Sequence, residues 1–285
     1  MGPTASGKTA LAEAVAERRN AWLINADAFQ VYRGMDIGTA KPPDRSRYHL
    51  LDIKNPNETF SCGEWVERAG AVLRSAWDAS RDVVIVGGSG LYIRSLFENY
   101  TEMASPPPPG LREELTARLA NEGLEALVAE LRERSPTEWE RTDLQNPQRV
   151  TRALERAQSA KSVVRSLPPF QRTKFAIPTE PAALAARIEQ RVRDMVDDGW
   201  LDEIQALLGQ GYRQDDPGFR AHGYRPMASV LSGELALLEA ILRTTIQVRQ
   251  YAKRQRTWLR REPGLRWLQG CMIEAWVETI EESSI

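Results

Sequence analysis

Gly2-Pro3-Thr4-Ala5-Ser6-Gly7-Lys8-Thr9 opens the chain with the spacing G-x-x-x-x-G-K-[ST]. Its glycines permit the positive-φ turns that aim successive backbone N–H groups into one anion hollow. Lys8 adds a point charge for a terminal phosphate. The Thr9 hydroxyl can ligate Mg²⁺ at the start of the following helix, whose N-terminal dipole also favours an anion. The motif, of the nucleotide-binding and ATP-binding kind, specifies a diphosphate or triphosphate; it does not specify ATP.

Asp27 follows Trp22-Leu23-Ile24-Asn25-Ala26 and is expected at the C-terminal edge of a strand. A carboxylate beside bound phosphate can hold Mg²⁺ through water or act as a general base; a turn cap is the plainer use. A nucleotide hydrolase would end its second strand in an acidic residue to organise Mg²⁺. Here Val83-Val84-Ile85-Val86 ends instead in Gly87-Gly88-Ser89-Gly90. That turn either brings amides and a hydroxyl to the sheet edge where ligands of open α/β sheets sit, or is an ordinary strand-to-helix connection.

A third feature is a run of cations. No acidic residue lies between Glu239 and Glu262, a window holding Arg243, Arg249, Lys253, Arg254, Arg256, Arg260 and Arg261. Arg249, Lys253, Arg256 and Arg260 share one helical face, and Val248, Tyr251, Ala252 and Leu259 form an apolar stripe on another. A row of cations about three turns long suits an RNA backbone better than a compact polyphosphate; a solvated surface helix is the alternative.

The elements that must position these groups follow from composition and pattern. A chain of 285 residues with 42% hydrophobic residues can bury a core, and its net charge of −1 makes the local cationic run a matter of distribution. Two distant cysteines, Cys62 and Cys271, offer neither a disulfide framework nor zinc spacing. No leader and no apolar run of membrane-spanning length is apparent, so a cytoplasmic protein without membrane attachment is expected; a monomer is the separate expectation for its assembly. Trp22–Ile24, Val83–Val86 and Phe175–Ile177 read as strands. Helices are expected at about Thr9–Arg19, Cys62–Ser80, Leu184–Leu208 and Leu235–Arg261, and throughout Leu111–Val164. The prolines at 106–109 and 168–169 mark breaks. The expected architecture is α/β: a P-loop NTPase-like parallel-sheet core over 1–103 and 166–285, with an all-helical insertion over 104–165. A phosphate loop ordinarily follows a buried strand. Only Met1 precedes Gly2, so that first core strand is expected to be missing and the functional protein to be longer at its N-terminus.

Several runs resemble the tRNA dimethylallyltransferase (tRNA isopentenyltransferase) family. They are Gly2–Thr9, Asp27-Ala28-Phe29-Gln30-Val31-Tyr32-Arg33-Gly34-Met35-Asp36-Ile37-Gly38-Thr39-Ala40-Lys41-Pro42, and Val86–Tyr92. Asn146-Pro147-Gln148-Arg149, Arg152–Glu155, Tyr251–Gln255 and Thr257–Arg260 complete the set. The resemblance spans Gly2 to about Trp267. It implies that Gly2, Pro3, Thr4, Ala5, Ser6, Gly7, Lys8 and Thr9 hold dimethylallyl diphosphate with Mg²⁺. Asp27 would be the base for the N6 proton of an adenosine beside the anticodon, with Ser89 and Arg112 reaching the reacting groups. It further implies contacts to the tRNA anticodon stem-loop from Asp27, Ala28, Phe29 and Gln30, and from Gln145, Asn146, Pro147, Gln148 and Arg149. Arg220, Ala221, His222, Gly223, Tyr224 and Arg225 would add to these, as would Lys253, Arg254, Gln255, Arg256, Thr257, Trp258, Leu259 and Arg260. The target base would be flipped from its stack.

Departures from the family pattern are specific. Ala28 stands where Ser is usual, and His222 where the run usually opens with an aliphatic residue; His222 is read as structural or as an RNA contact. Arg156 to Val164 lacks the usual Thr-Gly-Lys. No zinc-finger tail follows Trp267, as in bacterial-type members. A small-molecule P-loop kinase would have no use for the Lys253–Arg260 face, and a non-catalytic RNA-binding protein would not need Lys8, Thr9 and Asp27 together.

Overall fold

The computed structural model describes residues 1–97, 107–108, 110–159, 167, 170–270 and 272–283. Cys271, four prolines of the two expected breaks (Pro106, Pro109, Pro168, Pro169) and residues 160–164 lie outside them. Two compact units form: Met1–Leu96 with Pro168–Ile285, and Phe97–Leu167. The sequence reading set the helical unit at 104–165.

In the first unit, β1 (Trp22–Asn25) lies between β2 (Tyr48–His49) and β3 (Val83–Val86), all parallel. Leu23, Ile24 and Asn25 are buried, as expected for the middle strand of a parallel sheet. Helix α1 (Lys8–Arg18) covers the sheet through Leu11, Ala12, Val15 and Ala16. Helix α2 (Cys62–Asp78) starts where the Ser61 side chain accepts the Glu64 N–H, and it buries Trp65, whose indole N–H reaches the Asn25 carbonyl at 2.8 Å. Helix α3 (Gly90–Phe97) follows β3.

A second parallel pair joins β4 (Lys174–Ala176) to β5 (Leu265–Trp267). On the edge of β4 away from β5, the Met1 amino group donates to the Phe175 carbonyl at 2.5 Å, and the Ile177 N–H donates to the Met1 carbonyl at 3.2 Å. The residue that enters the phosphate loop is thus held in parallel pairing.

The expected single helix over Leu184–Leu208 is two, α7 (Pro181–Asp197) and α8 (Trp200–Gly209). Gly199 adopts φ +96°, and this left-handed residue ends the first helix. Both segments bury residues at helical spacing, Leu184, Ile188 and Val192 in the first and Trp200, Ile204 and Leu207 in the second, so the break is carried by the glycine. Helices α9 (Tyr224–Leu231) and α10 (Leu237–Leu259) pack with them around Trp200, Phe219 and Tyr224, and α11 (Ile273–Glu282) lies on α1.

The second unit is helical, as expected: α4 (Leu111–Arg134), kinked at Gly123, then α5 (Pro136–Arg141) and α6 (Pro147–Gln158). Leu115, Leu127, Leu131, Val150 and Leu154 form its core. No helix among the described residues is long and apolar enough to cross a membrane.

Candidate active site

The phosphate loop turns through positive φ at Gly7 (+86°), as its glycine spacing predicts, and also at Ala5 (+59°), before α1 begins at Lys8. The Ser6 hydroxyl is buried and has no hydrogen-bond partner among the described residues. Burial lowers the Lys8 ammonium to about 8; the Asp27 carboxylate opposes this and Arg191 adds to it. Arg191, on α7, is itself lowered by burial and held up by Asp27. The charges of Lys8, Arg191 and Asp27 therefore act on one another. Arg191 was not singled out in the sequence, because one Arg in an amphipathic helix carries no local signal.

Sheet register brings Asp27 and Ser89 together. Asn25 pairs with Val86, the Ala26 N–H reaches the Val86 carbonyl at 2.7 Å, and the Ser89 N–H reaches the Ala26 carbonyl at 3.2 Å. Buried Asn25 then fixes the chain at Asp27: its Oδ1 accepts the Asp27 N–H at 3.0 Å, and its Nδ2 donates to the Asp27 and Leu50 carbonyls. One Asp27 oxygen, Oδ1, accepts the Phe29 N–H at 2.9 Å, which orients the carboxylate. Burial raises the Tyr251 phenol, as does Asp27, while hydrogen bonding to Ser89 and Gln255 opposes the shift. The His222 ring lies 4.8 Å from Tyr251 and 6.5 Å from Phe29. Burial keeps His222 below its usual pKa, Arg254 adds to that, and Asp27 opposes it.

Helix α10 does two jobs on two faces. Gln255 is buried, accepts the Thr4 N–H at 2.9 Å and donates to the Gly88 carbonyl at 3.1 Å. A Cβ on Gly88 would overlap this amide and push the Gln255 side chain from its place. Gln255 therefore ties the phosphate loop to the second glycine turn, which corrects its expected place on the RNA surface. Leu259, Ala221, Gly223 and Tyr224 need the same correction: all are buried. Trp258 is half-buried, with the Arg94 guanidinium 4.2 Å from its ring. Lys253, Arg254, Thr257 and Arg260 are exposed, and so are Arg220 and Arg225. Arg249, placed on the same cationic face by spacing, pairs with Glu189 of α7 at 2.9 Å and is partly neutralised there. Among the described residues no ion pair is made by Lys253, Arg256 or Arg260.

Phe29, Ala28 and Gln30 are half-buried, and the Gln30 amide donates to the Thr39 and Ala40 carbonyls at 3.1 and 3.0 Å. In the helical unit, the Arg112 guanidinium grips Glu155 through two hydrogen bonds, at 2.9 and 3.2 Å. Asn146 caps α6 by accepting the Gln148 and Arg149 N–H groups, and Arg149 pairs with Asp143 at 3.2 Å. Gln145, Pro147, Gln148 and Arg149 are exposed.

Residues 30–262 match a family model described as IPP transferase. The tRNA dimethylallyltransferase of Thermosynechococcus vestitus is 39% identical over 290 residues, which cover 98% of this chain and 91% of the relative. That of Methylococcus capsulatus is 38% identical over 283 residues, covering 94% and 90%. Among solved structures, the full-length tRNA isopentenylpyrophosphate transferase of Bacillus halodurans superposes with a TM-score of 0.72 at 33% identity, covering 99% of this chain and 93% of that one.

Proposed function

The chain belongs to the IPP transferase family, and from this premise we infer that it transfers a dimethylallyl group from dimethylallyl diphosphate to N6 of the adenosine at tRNA position 37. A bond forms between N6 and the allylic carbon while the carbon–oxygen bond to diphosphate breaks. The oxygen leaves with the electron pair, and N6 gives up a proton. The observation that carries the residue assignment is the strand register that sets Asp27 and Ser89 at one sheet edge, with the Asp27 charge felt by Lys8 of the phosphate loop and by Arg191.

Asp27, with its Oδ1 tied to the Phe29 N–H, accepts the N6 proton. Lys8, Arg191 and the loop amides stabilise charge as it gathers on the departing diphosphate. The unpaired Ser6 hydroxyl is suited to a phosphate oxygen. Ser89, beside Tyr251, faces the acceptor. Magnesium usually takes one or two protein oxygens and completes its shell with phosphate and water, and the Thr9 hydroxyl is suited to that share. When bound, the ion would neutralise diphosphate charge. Lys253, Arg256 and Arg260 supply cations to the anticodon stem-loop, and the exposed residues of 145–149 are contacts offered by the helical unit on its own. A tRNA substrate and a reducing composition suit the cytoplasm.

Incubation with dimethylallyl diphosphate, Mg²⁺ and an anticodon stem-loop should add the mass of one dimethylallyl group to the loop fragment bearing the target adenosine. Unmodified RNA together with ADP formed from ATP would favour a kinase instead.

A pH effect follows from Lys8. Free Lys8 titrates near 8 and is charged below that value, and a bound anion raises its pKa. Diphosphate binding should therefore take up a proton around pH 8 and weaken as pH rises past it. Calorimetry in two buffers of different ionisation enthalpy measures the uptake, and Lys8→Met should abolish it.

A further inference from the structure

The Glu203 carboxylate, on α8, accepts four hydrogen bonds. Asp36 N–H and Ile37 N–H reach Oε2 at 2.6 Å each, while Gly38 N–H at 3.3 Å and the Tyr224 hydroxyl at 2.6 Å reach Oε1. No cation pairs with it among the described residues. Three consecutive amides around one carboxylate form an anion nest, here filled from within the protein.

Trp200, one turn earlier on α8, shares the task. A Cβ on Gly38 would strike its indole at the N–H side, and one on Gly223 would strike the six-membered ring. The first turn of α8 is therefore the block on which two separate segments are seated, Asp36–Lys41 and Arg220–Arg225. The first segment is stiff. The buried Lys41 ammonium reaches the Tyr32 carbonyl at 2.5 Å, Asp36 at 2.7 Å and Asp52, and Arg45 bridges Asp36 and Asp52. Its Thr39 and Ala40 carbonyls hold the Gln30 amide, three residues beyond Asp27. The second segment brings His222 against Tyr251 and exposes Arg225. A shift at Asp36–Gly38 would reach Gln30 on one side and, through Tyr224, His222 on the other.

We propose that Glu203 is a positioning residue for the RNA substrate, fixing the spacing between the Gln30 loop and the His222–Arg225 segment through the Asp36–Gly38 nest and the Tyr224 hydroxyl. This rests on the reading that both segments face the tRNA acceptor. Glutamine has nearly the same shape but presents one amide nitrogen, which cannot accept the N–H groups that a carboxylate oxygen takes.

The test compares Glu203→Gln, Glu203→Asp and Tyr224→Phe with the unaltered enzyme, by steady-state kinetics with an anticodon stem-loop RNA and dimethylallyl diphosphate. Glu203→Gln should raise KM for the RNA about tenfold, the scale of one lost hydrogen bond to a charged group. KM for the diphosphate should stay within about twofold, because the phosphate loop is tied down elsewhere, by Gln255. Glu203→Asp, which keeps the carboxylate, should recover part of the loss. Tyr224→Phe should raise KM for the RNA by a few-fold, roughly the effect of one neutral donor, and keeps the test usable if Glu203→Gln does not fold. A role in stability alone would lower the melting temperature and the amount of active enzyme while leaving both KM values unchanged. Unchanged KM for the RNA in Glu203→Gln, or in Tyr224→Phe where that variant alone folds, would overturn the proposal. Equal rises in KM for both substrates would overturn it too. If the unaltered enzyme does not prenylate the RNA at all, the functional reading fails instead.

Discussion

Asp27→Ala is expected to lose about a hundred- to ten-thousand-fold in kcat, the usual contribution of a positioned general base, while dimethylallyl diphosphate still binds. The carboxylate is not a turn cap alone. Asn25 already holds the Asp27 backbone from both sides, so the side chain is not needed to shape the turn. Its Oδ1 takes the Phe29 N–H, and its charge acts on Lys8, Arg191, Tyr251 and His222. Asp27→Asn sharpens the test, because its amide oxygen can still accept the Phe29 N–H but its side chain cannot take a proton near neutral pH. Single-turnover transfer measured with saturating substrates should fall for both variants, and equilibrium binding of the diphosphate should remain within a few-fold of the unaltered enzyme. Turnover near normal in Asp27→Asn would remove Asp27 from the role of base.

Replacing Lys253 and Arg260 together by Ala should weaken tRNA binding on the order of tens-fold near 0.1 M salt, if each tracks one phosphate. The two are exposed on α10, seven residues apart and hence on one face, and neither spends its charge on an ion pair among the described residues. The diagnostic is the salt dependence: the slope of log K against log salt should flatten by about one unit per lost contact. Arg249→Ala provides the contrast. Its guanidinium is already engaged by Glu189 and by the Ala185 carbonyl, so its removal should leave the slope nearly unchanged. An unaltered slope in the Lys253/Arg260 double variant would make this face ordinary solvated surface. Filter binding or fluorescence anisotropy across a salt series reads all three.

Much of this site was legible because its parts are local. The phosphate loop declares itself through glycine spacing, and the strands β1 and β3 through apolar runs that end in Asp27 and in Gly87–Gly90. Parallel register does the rest, since strands of equal length that end together deliver Asp27 and Ser89 to the same edge. What escaped notice depends on residues far apart in the chain. Gln255 lies in a cationic run and was grouped with its neighbours, yet its amide serves Thr4 and Gly88, 251 and 167 residues away. Glu189 neutralises Arg249 from another helix, which no count of charges within α10 could disclose. Glu203 reads as one acidic residue of an amphipathic helix until the Asp36–Gly38 amides are seen around it. The signature run containing Asp36–Pro42 thus owes part of its residue choice to an internal carboxylate and a buried lysine.

Gln255 has a thermodynamic consequence as well. It sits on the helix whose opposite face carries Lys253 and Arg260, and its amide joins Thr4 of the phosphate loop to Gly88. With the diphosphate in that loop and the RNA on those cations, as proposed, this one helix would link the two binding equilibria. Whatever factor the occupied loop confers on RNA affinity, bound RNA must confer the same factor on the affinity for the allylic diphosphate, since the two routes round the cycle share their end states. Gln255→Leu would cut the link while leaving the cations in place, so the four dissociation constants should then factor into two independent pairs.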